Sequence, residues 1–268
     1  MDKSFIKINL FKDQHLWFRK MNNEYDHVRL KDFFSKEPET LIWLNRLSKE
    51  DVLWDIGSNI GVYSIYAAKV IGNKTYAFEP SWKNTFFLQE NIDINDLNKF
   101  VTAYPIAIGK EHKYDVLLNT RNIPGCTGAE VSGSELSNNN TQNYKDKKES
   151  GCVVESIDSL VEKGLTPPTH LKIDVDGLEP DIIEGAKNTL PKVKSILVEL
   201  VTQQKGLKEN IQLANANVVK AHLETIKKLE AMGFVIDETL SNYSKFHNYQ
   251  TGFVGLYNHI YYNKNVEQ

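Results

Sequence analysis

One stretch constrains this chain more than any other: Val52-Leu53-Trp54 running into Asp55-Ile56-Gly57-Ser58-Asn59-Ile60-Gly61. A short apolar run stops at an acid and gives way to a glycine-rich turn. The turn opens onto Val62–Val70, where Ile65 and Ala68 share a helical face and Gly72 is placed to end the helix. Glycines at such a point let the backbone approach a ligand closely and aim a helix N-terminus at it. Strand, glycine turn and helix in that order belong to an α/β unit.

The alternation continues down the chain. Thr75–Phe78 reads as a second strand, ended by Glu79-Pro80, and Ser81 is placed to cap a helix carrying Thr85, Leu88 and Ile92. Phe100–Ile108 reads as one further strand, His170–Val175 as another, and Ser195–Val201 as a buried central one. Pro180 suits the first turn of a helix, and Val219, Leu223, Ile226 and Leu229 line a helix that stops at Gly233. Phe234–Ile236 and Phe253–Tyr262, with no helix expected between them, supply an antiparallel edge. The expected fold is α/β: an open, doubly wound, mainly parallel sheet with helices on both faces.

Length fits this reading. The 268 residues hold one α/β domain of ordinary size plus an extension, here 51–268 with an N-terminal cap at 1–50. Within the cap, Glu39–Leu47 reads as a short helix beginning just after Pro38. Residues 132–151 contain almost nothing apolar and are expected to form a mobile loop. A net charge of −3 with no basic stripe gives no reason to expect nucleic-acid binding. Two cysteines, Cys126 and Cys152, make neither a disulfide framework nor a four-thiolate zinc site. Nothing reads as a signal peptide or membrane span, and the expected location is cytoplasmic. His170, His222, His247 and His259 lack paired ligand spacing, and no Gly-x-Ser-x-Gly elbow is present.

In open α/β sheets the ligand sits at the carboxyl ends of the strands. Those ends carry Asp55, Glu79, Asp174-Val175-Asp176-Gly177 and Glu199, with Ala107-Ile108-Gly109 at the remaining one. Ser58-Asn59 breaks the Gly-x-Gly-x-x-Gly of dinucleotide folds, and no Gly-Lys-Ser/Thr of a phosphate loop follows. Asp55 beside the turn would repel a pyrophosphate and suits a cation. Glu79, 18 residues past Gly61, stands where an acid accepts hydrogen bonds from a ribose diol. A ligand with a ribose, no phosphate and a cationic amino-acid end fits, and S-adenosylmethionine is such a ligand. The alternatives are a nucleotide-sugar or nicotinamide enzyme on a similar sheet, and a non-catalytic binding protein that kept the fold.

VLWDIGSNIGVYSIYAA, YAFEP, the Asn91–Asn95 run, HLKIDVDGLEPDIIEGA and SILVEL together resemble the FkbM family of S-adenosylmethionine-dependent methyltransferases. The resemblance runs from about Glu37 to about Val201. It implies a Rossmann-like class I methyltransferase fold and O-methylation of a carbohydrate, polysaccharide or secondary-metabolite hydroxyl. It also implies a small-molecule or glycan acceptor, with no oligomeric state indicated. It departs from the family at Asp176, often Glu there, and at Ser58, often Ala.

Carried onto this chain, Asp55, Gly57, Ser58, Asn59 and Gly61 would hold the methionine end of the cofactor. Glu79 would bind the ribose, Pro80 and Ser81 would lie beside the adenine, and Ala107 and Ile108 would flank it. Asp174 would sit next to the sulfonium and serve as first candidate for the general base, with Glu199 second. Lys172 could orient a carboxylate, but alternation along its strand is taken to point it away from Asp174. Asp174, Asp176 and Glu199 together could hold a divalent cation. The favoured reading is plainer: Asp176 turns the chain and Glu179 caps the next helix.

Overall fold

The computed structural model describes residues 4–11, 13–119, 123–125, 129–131, 148–175, 177–202, 216–251 and 256–267. Its centre is a seven-stranded sheet. In spatial order the strands are Phe234–Ile236, Leu256–Asn263, Ser195–Val201, His170–Ile173, Val52–Ile56, Lys74–Phe78 and Val101–Tyr104. All run parallel except Leu256–Asn263, which is antiparallel to both neighbours.

Parallel strands covered on both faces are mostly apolar, and every residue of His170–Ile173 is buried, including the polar His170 and Lys172. Alternate residues feed two cores. Leu53 and Leu197 point into one with Ile65, Leu88, Ile92 and Trp43. Trp54, Ile56, Ile173 and Val198 point into the other with Phe78, Ile182 and Leu229. Each large side chain so buried contributes roughly 1.5–3 kcal/mol.

Two expectations at the late end of the sheet are corrected. The antiparallel strand lies one place in from the edge, and a helix, Glu238–Thr251, separates it from Phe234–Ile236. The helix hides in the sequence because its buried face is partly hydroxyl. Ser241 and Ser244 are buried and accept hydrogen bonds from the backbone N–H of Ile260 and Asn258, both at 3.0 Å. Hydroxyls there replace the apolar residues that would have marked a helical period.

Phe100–Ile108 is likewise not one strand. Val101–Tyr104 ends before Pro105, and Ala107–Ile108 crosses into a second sheet. Proline has no N–H to give a ladder, so the chain changes sheets there. The second sheet is four-stranded, in the order Ala107–Ile108, Lys148–Glu155, Lys113–Asn119 and Ala129–Val131. The expected loop at 132–151 is corrected at its end, since Lys148–Gly151 belong to a strand. Residues 132–147 lie outside the described residues, as do Cys126 and Asp176.

The first 50 residues join the same core. A hairpin pairs Phe5–Asn9 with His15–Arg19, burying Leu16 and Phe18. Its backbone is met by asparagine side chains of the helix Trp82–Ile94 and its cap. The N–H groups of Trp17 and Arg19 donate to Oδ1 of Asn95 and Asn91 at 2.9 and 2.7 Å, and Asn95 Nδ2 donates back to Trp17 O at 2.7 Å. These bonds satisfy backbone groups that an open strand edge would expose. A helical turn at Asp26–Lys31 and the helix Pro38–Leu44 then lead to the central strand.

Candidate active site

The carboxyl ends of the central strands converge as the glycine turn requires. Gly57 has φ of 79°, and a Cβ there would lie 1.9 Å from the carbonyl oxygen of Asp174. Only glycine lets the two strand ends approach so closely. The N–H groups of Gly57 and Ser58 both donate to Phe78 O, at 3.0 and 3.1 Å. Asn59 follows in the left-handed region at φ 53°, a conformation asparagine tolerates better than most residues.

That bend carries the Asn59 N–H to Glu79 Oε2 at 2.9 Å, while Ser81 N–H donates to Glu79 Oε1, also at 2.9 Å. Glu79 is only 5% exposed. Burial pushes its carboxyl up to about 7, against the two backbone bonds and the nearby Asn84 and Arg29. A carboxylate offers about four acceptor positions, so capacity remains for a diol.

A cleft of about 640 Å³ opens over these groups. Gly57, Asn59, Glu79, Pro80, Ala107, Ile108 and Asp174 line it. Asp55, Ser58, Gly61 and Ser81 stand behind that wall. Asp55 is fully buried and accepts from Ser64 Oγ at 2.6 Å. Ser58 is buried, and Gly61, at φ 86°, would place a Cβ 2.4 Å from Leu88 Cδ1. Ser81 holds Glu79 through its backbone and precedes the helix, with no side-chain cap bond. Glu199 lies half-buried in the strand beside Asp174, opposite Asn258, and does not line the cleft among the described residues.

Lys172 corrects the expected facing. Residues two apart in a strand share a face, so Lys172 and Asp174 point the same way. The Lys172 Nζ lies 3.3 Å from Asp174 Oδ2 and 3.6 Å from Asp55 Oδ1, and 5.2 Å from the centre of the Tyr63 ring. Burial acts to lower the ammonium's pKa, but Asp174, Asp55 and Glu37 outweigh it and raise it. Glu37 is held in turn at about 2: burial would raise it, while Lys36, Lys172 and a hydrogen bond from Tyr63 pull it down. One buried cation thus sits among three acids.

Among the described residues no group of three or more His, Cys, Asp or Glu is placed to hold a metal ion. Glu179 begins a helix rather than capping it, and its Oε1 accepts from Val175 N–H at 3.2 Å.

Several wall residues escaped the sequence. Leu117 and Val131 reach the cleft from the second sheet, and Ile106 and Leu178 extend its apolar lining. Asn84 comes from the first turn of the helix after Glu79, where its spacing from Ser81 offered a hint. Arg29 comes from the N-terminal segment, which showed no period to read.

The strand order, the reversed strand next to the edge and the glycine turn after the central strand define the class: a Rossmann-like methyltransferase fold. A family model for the methyltransferase FkbM domain matches residues 55–236. The chain belongs to that family. It is 28% identical over 175 residues to the hexuronic acid methyltransferase AglP of Haloferax volcanii, covering 64% of this chain and 65% of that protein. The chain thus spans just under two thirds of that curated relative. Among solved structures it is similar to an O-methyltransferase from Bacillus cereus in complex with SAH (13% identity, TM-score 0.47, 89% of this chain and 82% of that one). It is also similar to precorrin-6y C5,15-methyltransferase from Geobacter metallireducens (15% identity, TM-score 0.42, 75% and 72%). No helix among the described residues is long and apolar enough to cross a membrane.

Proposed function

We propose that the protein transfers the methyl group of S-adenosylmethionine to a hydroxyl of a carbohydrate or related metabolite. The observation that carries this is the single cleft joining Glu79, held by two backbone N–H groups, to the glycine turn and the partly exposed Asp174. The residues present suit the cofactor. Glu79 has acceptor capacity for a ribose diol, Ala107, Ile108 and Leu178 give an apolar slot for a purine, and Gly57 leaves the turn without a side chain. The relative's action on a hexuronic acid supports a carbohydrate acceptor.

When bound, the cofactor supplies a methyl group already activated on a sulfonium. The chain's task is to align an acceptor oxygen and remove its proton. Asp174 is our candidate base, with a side chain 23% exposed at the cleft. Proton removal of this kind contributes about a hundredfold to ten-thousandfold. Lys172 fixes the carboxylate's direction, and Glu199 on the next strand is the second candidate base. Residues 1–50 act as a cap, contributing Arg29 to the cleft.

Calorimetry with S-adenosylmethionine and its demethylated product tests the cofactor, and a folded sample that binds neither ends the proposal. Product mass after incubation with candidate uronate-containing glycans, with and without chelator, tests the acceptor and any need for a metal ion.

A further inference from the structure

Arg29 stands apart from the rest of the cleft wall. The wall's ionisable side chains are Glu79, Asp174 and Arg29, so Arg29 is its single cation among the described residues. Lys172 is close by but buried behind the wall and paired with two acids.

The guanidinium is held in place by construction. Its Nε donates to Gly125 O at 3.1 Å. Gly125 is itself fixed, since its N–H donates to Asn84 Oδ1 at 2.8 Å. Its φ is 78°, and a Cβ there would meet Met21 Sδ at 2.6 Å and Tyr25 Cβ at 2.9 Å. Glycine at 125 therefore lets the 21–29 segment press against the cleft. Asn59 of the glycine turn reaches the same carbonyl, with Nδ2 at 3.5 Å.

Arg29 is thus anchored by one nitrogen at the glycine-turn end of the cleft. Among the described residues its two terminal nitrogens have no partner. The charge lies near enough to Glu79 and Tyr63 to act on both. A half-buried fork of donors matches a carboxylate bidentately.

We infer that Arg29 binds the carboxylate of the cofactor's amino-acid end, which makes the N-terminal segment part of the cofactor site. This rests on the proposed function. The logic is electrostatic: a ligand carboxylate entering a cleft walled by Glu79 and Asp174 is repelled unless a cation answers it. Arg29 shares Gly125 with Asn59, so it stands where the methionine end lies and away from the apolar slot.

The test compares two ligands on Arg29→Gln and the unaltered protein by calorimetry. S-adenosylhomocysteine carries the amino-acid end, and 5′-methylthioadenosine lacks it. The variant should lose roughly ten- to hundredfold in affinity for the first, in keeping with one charged hydrogen-bonded contact, and nothing for the second. Equal losses for both overturn the inference and make Arg29 structural. An unchanged affinity for S-adenosylhomocysteine with a raised acceptor KM overturns it in favour of an acceptor carboxylate. Arg29→Lys covers a glutamine variant that does not fold. It keeps the charge without the fork and should lose several-fold, again only for the first ligand. If the unaltered protein binds neither ligand, the proposed function fails; if it binds both, the cofactor part of that reading stands whatever the variants do.

Discussion

Two polar clusters sit at opposite ends of the same strands and behave differently. At the carboxyl ends, Asp55, Lys172 and Asp174 meet beneath the cleft. At the amino ends, Asp51, His170 and Ser195 meet beside Trp43. Ser195 Oγ lies 2.6 Å from His170 Nδ1, and His170 Nε2 lies 3.4 Å from Asp51 Oδ2. By composition the second set looks the more catalytic: serine, histidine and aspartate in a chain, bordering a hollow of about 770 Å³. Its partners say otherwise. Ser195 is fully buried and its oxygen also accepts from Trp43 Nε1 at 2.9 Å. Asp51 accepts from the N–H and Oγ of Ser48 at 2.8 and 2.9 Å and pairs with Lys194 at 3.3 Å. Ser195 and Asp51 are both committed to neighbours that hold the fold. Asp174 has Lys172 as its partner among the described residues and keeps an open side toward the cleft. A reactive group needs unused valence in a place substrate can reach.

Substitutions can break this contrast. The largest effect is expected from Asp174→Asn, which should lower kcat by about a hundredfold to ten-thousandfold in assays on an unmethylated glycan acceptor. The buried Lys172 loses its nearest counter-charge as well, so the melting temperature should fall and turnover is read per folded molecule; a variant that turns over at the normal rate rejects Asp174 as base. Asp51→Ala should do the opposite, costing about 3 kcal/mol in denaturant unfolding while turnover per folded molecule is kept. Ser195→Ala is expected to cost roughly 1–3 kcal/mol, because Trp43 Nε1 loses its buried acceptor. A loss of activity without loss of stability in either amino-end variant would erase the distinction.

The smallest effect concerns pH. Glu79 is raised to about 7 from an ordinary 4.5. The folded protein therefore holds this proton more tightly than the unfolded chain, and the group's contribution to stability falls as pH rises from about 4.5 through 7. A ribose diol donates to the ionised form, so S-adenosylhomocysteine affinity should move the other way. It should rise about tenfold between pH 6 and 8, and Glu79→Gln should flatten the profile.

The carboxyl-end site was largely legible because its parts follow one another in the sequence. Asp55 to Gly61, Glu79 and Asp174 each end an apolar run, so position in the pattern predicted position in space. Arg29, Leu117 and Val131 were not legible, since their segments reach the cleft only by packing. The second sheet was hidden because one of its strands, Lys148–Glu155, begins inside a polar stretch. The helix Glu238–Thr251 was hidden by serines on its buried face. Lys172 shows a different limit: its facing follows from parity alone, yet parity had to be counted to Asp174 rather than to its neighbour.

The asparagine-stapled hairpin sets an order for folding. Trp17 and Arg19 find their acceptors 78 and 72 residues further along, and Trp43 finds Ser195 152 residues away. Asn258 reaches Glu39 across 219. Closing such long loops is slow, and a chain made from its amino terminus has none of these acceptors when residues 5–19 emerge. The hairpin's staples therefore wait at least for the helix carrying Asn91 and Asn95, and Arg29 finds its anchor only once Gly125 is in place.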